Sequence, residues 1–276
     1  MHHAFSKNKY ISLIKIFFSY LSQDSIILFI NNGIDIDLSY RPKKPLFNYI
    51  SLLKSIIIFD ISNVIEIYYN TKFSEKQKDI IEKEFYNIIF NQCSTIKCLD
   101  LSHEFYERKY EVMNCIELKD SLCNLSEFTC TQHINEEIFY ILAELCVNIK
   151  KLEIKKRNKN NDGLFKLIQA QKKLEHFCYK GKKSRMYDWD NFCKEMGQAL
   201  IKHVATLKHF DAPIRLCIPF DILNYFVNLE TLMLGYSTNC ADDLDLIKLP
   251  KLQHLKVCYL TKVKEFIQNT GGCLKY

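Results

Sequence analysis

Two short stretches carry the side chains most able to do chemistry. "KLEHFCY" holds His176 and Cys178 two residues apart, and "TLKHFDA" holds His209 and Asp211 at the same spacing. On a strand, residues two apart point to the same face. If the two stretches are neighbouring strands, the four side chains form a two-by-two patch on strands about 4.8 Å apart. All four are metal-ligand types, but zinc requires ligands that converge tetrahedrally, and a flat sheet face spreads them. The expectation is therefore no metal site and no cofactor. Catalytic patterns are missing as well. The chain has no G-x-S-x-G, no H-E-x-x-H and no glycine-rich phosphate loop. A Cys/His pair survives simple counting, with 12 cysteines and 8 histidines, yet nothing marks a pocket with oriented groups. The residues predict a protein that is not an enzyme.

What must position these residues is a repeated unit. "KLPKLQHLKV" has Leu252, Leu255 and Val257 at offsets one, four and six of a short phrase. The same offsets recur in "NLETLML" (Leu229, Leu232, Leu234), "TLKHFDA" (Leu207, Phe210, Ala212), "KLEHFCY" (Leu174, Phe177, Tyr179) and "NIKKLEI" (Ile149, Leu152, Ile154). "NLSEFTC" (Leu125, Phe128, Cys130) and "TIKCLDL" (Ile96, Leu99, Leu101) follow them, and "CLKY" opens another copy at Leu274. Neighbouring anchors lie 22 to 29 residues apart, except for 33 between Leu174 and Leu207. Leucine-rich repeats have about this period and an L-x-x-L-x-L core. The pattern predicts an α/β leucine-rich-repeat solenoid, a horseshoe, in which each copy buries its apolar face on its neighbours. The long step contains "KGKKSRMYDWD" with the one tryptophan, so residues 180–190 read as an inserted loop.

With offsets one, four and six inward, offsets three and five face out onto the concave side. Offset three reads Cys98, Glu127, Lys151, His176, His209, Thr231, His254, and offset five reads Asp100, Thr129, Glu153, Cys178, Asp211, Met233, Lys256. These rows are the candidate partner-binding surface, with Glu127, Lys151, Glu153, His176, Cys178, His209, Asp211, Thr231, Met233, His254 and Lys256 as its residues. A solenoid presents such a face to its partners.

The helical halves show in the apolar periodicity and start signals. Asn135 caps "EEIFYILAELC", Asp190 opens "NFCKEMGQALIKHV", Asp221 opens "ILNYF", and Gly271-Gly272 stops "TKVKEFIQNT". Residues 1–92 read as an N-terminal helical cap and divergent first repeat, and residues 93–276 as the repeats. In the cap, "ISLIKIFFSYL" and "SIILFINNG" predict helices, "PLFNYISLLKSIIIFDI" a helix then a strand, and Ser74 opens "EKQKDIIEKEFYNIIF".

Apolar content of 48% excludes disorder, and a net charge of +6 with both signs interspersed is no concentrated nucleic-acid stripe. The densest basic run, "KKLEIKKRNKN" from Lys150 to Asn160, reads as a solvated loop after a strand. No stretch reaches the roughly 20 apolar residues of a membrane helix, so no membrane partner is expected. Lys15 interrupts the N-terminal apolar run, which therefore does not read as a signal sequence. The cysteines include no C-x-x-C pair and several take buried repeat positions. Such residues behave as small apolar groups, which suits a reduced cytoplasmic or nuclear setting.

The order of "YISLIKIFFSYLSQDSIILFINNGIDI", "PLFNYISLLKSI", "EKEFYNIIFNQCSTIKCLDLS" and the phrases "KLEHF", "NLETL" and "KLQHL" resembles a fungal family of F-box/leucine-rich-repeat proteins over essentially the whole chain. In that family an F-box precedes the segment that begins here near Lys7. The F-box resembles a handle for a Skp-type adaptor of cullin-based ubiquitin ligases, and the repeats are thought to hold the substrate. The opening "MHHAFSKNKY" lacks the L-P-x-E start of an F-box. The resemblance thus implies the substrate-recognition part of a ligase receptor, with a Skp-type adaptor as partner only where an F-box lies upstream. A stand-alone repeat scaffold without a ligase link is the alternative, and an acidic-partner or nucleic-acid binder using Lys150 to Lys159 is a third reading.

Overall fold

A computed structural model describes residues 7–35, 46–57, 61, 64–66, 72–102, 121–131, 134–155, 162–181, 189–214, 216–235, 247–257, 267–270 and 274–275. The chain divides into two compact units, Met1–Leu99 with Arg108–Asn124, and Asp100–Glu107 with Leu125–Tyr276.

In the first unit, helix α1 (Lys7–Ser19) leads into α2 (Gln23–Asn31). Ser22 caps α2 by accepting the Ser25 N–H at 3.0 Å, satisfying a donor that a helix start leaves open. The helix ends beside Gly33, whose φ of 66° is a left-handed stop that glycine takes without a side-chain clash. Helix α3 (Glu75–Gln92) opens with a capping box between Ser74 and Gln77. The Gln77 amide then donates to the carbonyls of Asn32 and Gly33 at 3.0 and 3.1 Å, tying α3 to the end of α2. Phe17 stacks on Phe85 at 4.5 Å, and Ile81, Phe85 and Tyr86 are fully buried. The helix expected before the first strand is a single 3-10 turn, Ile50–Leu52. Asn48 takes both the N–H and the hydroxyl of Ser51, local bonds that compete with helix continuation. Strand β1 (Ser55–Ile57) follows at once.

The strands β1, β2 (Cys98–Leu101), β3 (Glu127–Thr131), β4 (Lys151–Lys155), β5 (His176–Lys180), β6 (His209–Ala212), β7 (Thr231–Leu234) and β8 (His254–Val257) lie in one sheet in chain order, all parallel. Phe128, Leu152, Phe177, Phe210, Leu232 and Leu255 are direct partners from strand to strand. The anchors Ile96, Leu125, Ile149, Leu174, Leu207, Leu229 and Leu252 are fully buried. The stretch leading into β2, and into each of β4 to β8, is bonded the same way. The carbonyl of Lys150 accepts the N–H groups of Glu175 and His176, both at 2.9 Å, and those of Ser126, Glu175, Lys208 and Glu230 receive equivalent pairs. The carbonyl of Lys54 takes Lys97 and Cys98 in the same manner, which makes "LKSII" the first copy, anchored at Leu53. At the other end Lys275 donates to Gln253 at 2.8 Å.

Between the strands of the second unit run α4 (Glu136–Leu145), α5 (Asp162–Ala170) and α6 (Trp189–Leu200). Asn135 caps α4 through the Glu137 N–H at 3.2 Å. The expected helix after Asp221 is instead the 3-10 segment Phe220–Tyr225. Its connection, from Pro213 to the anchor Leu229, holds two prolines in a short span and favours the tighter coil. Two ends of the expected 180–190 insertion belong to regular elements. Lys180 closes β5, and Trp189 begins α6, where it packs on Phe192 at 5.5 Å and Tyr179 at 6.2 Å. The register across the long step is unbroken, with His176 opposite His209. Residues 182–188 and most of "TKVKEFIQNTGG" lie outside the described residues.

Candidate functional site

The sheet has one face packed against apolar side chains and one that is not. In β5 the inward residues Phe177 and Tyr179 are fully buried, while His176, Cys178 and Lys180 are half-buried on the other side. The same alternation places Glu127, Lys151, His176, His209, Thr231 and His254 in one row, and Thr129, Glu153, Cys178, Asp211, Met233 and Lys256 in the next. Every candidate named from the sequence is therefore on this face. Exposure differs along it: Glu127, Lys151, His254 and Lys256 are exposed, and the residues between them are half-buried.

At the centre, the imidazoles of His176 and His209 stack with centroids 3.9 Å apart and planes 6° from parallel. Burial lowers the affinity of His176 for a proton, and the neighbouring His209 lowers it further. His209 is also shifted down, first by burial, with Lys208 and His254 adding to the shift and Glu230 opposing it. Beside the stack, the Cys178 thiol donates to Asp211 Oδ2 at 3.3 Å. Burial pushes the Cys178 thiol well up, and the Asp211 charge and hydrogen bond push it further. The thiolate is the reactive form, so this cysteine is held in its unreactive form. Asp211 Oδ1 is buried without a hydrogen-bond partner.

These four groups are adjacent, as the spacing predicts, but they do not converge. The two rings lie face to face, and the thiol is turned to a carboxylate. Among the described residues no group of three or more His, Cys, Asp or Glu side chains is arranged to hold a metal ion.

Sequence reasoning missed the role of a third row, two residues beyond the second. Lys180 donates to Glu153 at 2.9 Å. Burial lowers its proton affinity, but the Glu153 hydrogen bond and nearby acidic groups outweigh that and raise it. Lys155 reaches Asp100 at 3.8 Å, Glu153 at 3.9 Å and the Ser102 hydroxyl at 3.0 Å. Lys151 meets Glu127 at 3.5 Å. The alternation that found Cys178 and Glu153 extends to both lysines and was the signal available. The basic run from Lys150 also differs from expectation: its residues Lys151–Lys155 are strand β4 itself, with Leu152 and Ile154 fully buried. Lys150 precedes the strand and is exposed, while Lys156, Arg157 and Lys159 lie outside the described residues.

No protein-family model matches the chain, and no curated protein matches it. Among the described residues no helix is long and apolar enough to cross a membrane.

Proposed function

We propose that the chain is a leucine-rich-repeat solenoid that binds a protein partner on the face carrying the two rows, without catalysing a reaction. The observation that carries this reading is the unbroken register of rungs, fully buried from Phe128 through Leu232 and half-buried at Leu255, which leaves a second set of side chains aligned on the other side. A rigid sheet that holds polar groups at fixed spacing provides preorganised recognition. The charge state of Cys178 suits binding more than nucleophilic chemistry. The ion pairs of Lys151 and Lys155 turn those lysines towards their own sheet, which weighs against a polyanion on β4.

As a substrate receptor for ubiquitination the protein would present this face to the target and rely on an F-box for the Skp-type adaptor. As a scaffold it would use the same face without that link. Site-specific photo-crosslinking tests the shared core of both readings. A crosslinker at Thr231 or His254 should trap a partner from cell extract, whereas one at the exposed helical positions Lys166 or Lys194 should not. Equal trapping from both sides overturns the assignment of the face. Co-purification of the full-length gene product with a Skp-type adaptor then separates receptor from scaffold.

A further inference from the structure

His176 and His209 are the first residues of neighbouring strands and direct register partners. Their backbones are pinned: the His176 N–H donates to the Lys150 carbonyl at 2.9 Å and the His209 N–H to the Glu175 carbonyl at 3.0 Å. The rings therefore part only by turning about their own side-chain bonds. Both are half-buried, and they lie face to face at 3.9 Å. At that separation a proton on one ring opposes a proton on the other, so the pair takes them up in two steps. Facing the pair are Glu127 on β3, Lys151 on β4, Glu175 and Lys208 just before the two strands, Glu230 before β7 and His254 on β8. Two of the three acids are engaged by lysines, Glu127 by Lys151 at 3.5 Å and Glu230 by Lys208 at 3.6 Å. In the row beyond, Asp211 accepts the Cys178 thiol. Neither ring is hydrogen-bonded to an acid among the described residues.

We propose that the His176–His209 stack is a proton-operated switch at the centre of the partner face, closed while at least one ring is neutral and opened by the second proton, which releases the protein partner. This rests on the reading of the face as the partner surface and adds how binding there is regulated. A partner lying over β5 to β7 removes water from the half-buried rings, and desolvation favours their neutral form. By linkage, what binds the neutral pair better is held less well once the pair is charged. An uncharged stretch of the partner lies above the rings; a carboxylate there would reverse the sign. Burial already makes both rings harder to protonate, which sets the switch below neutral pH.

The test follows the ring protons of both histidines by NMR in the full chain from pH 8 to pH 4.5, with His176→Asn and His209→Asn for assignment. Two separated steps are expected, and the ring-current shift of the stacked protons should vanish with the second. In each single variant the remaining histidine should titrate in one step, about half a pH unit or more above that second step. A single common step in the wild type, or a ring-current shift that survives both steps, overturns the proposal, and neither result depends on a variant folding. Crosslinking capture at Thr231, the register partner of His209, is then compared at pH 7.5 and pH 5.0, with circular dichroism checking the fold at both. Capture should fall about fivefold in the wild type and less than about twofold in His176→Asn, which keeps one ring and loses the pair. Flat capture, tighter capture in acid, or an equal fall in the variant overturns the switch. If the rings titrate as expected and Thr231 traps nothing at either pH, the reading of the face fails instead.

Discussion

His176 and His209 sit on adjacent parallel strands with their rings stacked 3.9 Å apart, at the midpoint of the exposed face. Both bind a proton less readily than an ordinary histidine, because burial disfavours the charged form and the cations nearby oppose it. The acids facing them, Glu127 and Glu175 at His176 and Glu175 and Glu230 at His209, offset only part of that. The unfolded chain, with ordinary values near 6.5, takes up protons first. The stabilisation is thus complete above about pH 6.5 and is lost as pH falls through the lowered folded values. Urea midpoints should drop between pH 7 and pH 5, and His176→Asn with His209→Asn should flatten part of that drop. His203, buried and bonded to the Ile168 carbonyl at 2.8 Å, is shifted down by burial as well and should account for a further part.

Core and face positions should separate cleanly by mutation. Leu232→Ala removes a fully buried rung and should cost about 2–5 kcal/mol. His254→Ala, on an exposed position of β8, should stay within about 0.5 kcal/mol. Chemical denaturation of both variants checks this, and reversed magnitudes would mean the strand alternation is off by one residue.

A buried amide holds one coil to the next. Gln171 accepts the Ile149 N–H at 2.8 Å and donates to the Leu167 carbonyl at 2.8 Å. Gln171→Leu leaves both backbone groups unpaired away from water and should cost about 1–3 kcal/mol per group. Hydrogen exchange at Ile149 should accelerate in that variant.

Cysteine reactivity gives a probe of the central patch. Cys178, held as a thiol by burial and Asp211, should alkylate far more slowly at pH 8 than the exposed Cys123. Asp211→Asn removes the opposing charge and should speed modification of Cys178, measured by peptide mass spectrometry. No change on Asp211→Asn would assign the protection to burial alone.

Much of the architecture was legible because it rests on periodicity. Leu229, Leu232 and Leu234 share one spacing with Leu252, Leu255 and Val257, and spacing alone fixes which side of a strand a residue takes. Caps such as Asn135 and Ser74 were legible too, since a polar side chain before an apolar run has few other uses. A divergent first repeat was expected within 1–92, but its anchor at Leu53 was not placed because 43 residues separate it from Ile96; the Lys54 carbonyl bond locates it. The shared face of the candidate residues was legible, and its ion pairing was not. Sequence places Lys180 and Glu153 on one face, but which lysine spends its charge on which carboxylate depends on side-chain reach across strands. The 3-10 coil at Phe220–Tyr225 was hidden for a related reason: the apolar spacing of "ILNYF" suits either helix, and the length of the connection decides.

The carbonyl clasps that join each strand to the one before have a mechanical consequence. Every strand from β4 to β8 is entered through two amide protons on a single oxygen just before its predecessor, and then pairs with that predecessor along its length, so cohesion passes mainly between nearest neighbours. A lesion at Lys150 or Glu175 would then not loosen the whole sheet evenly. It would divide the protein into two segments that unfold at different temperatures, turning one calorimetric peak into two.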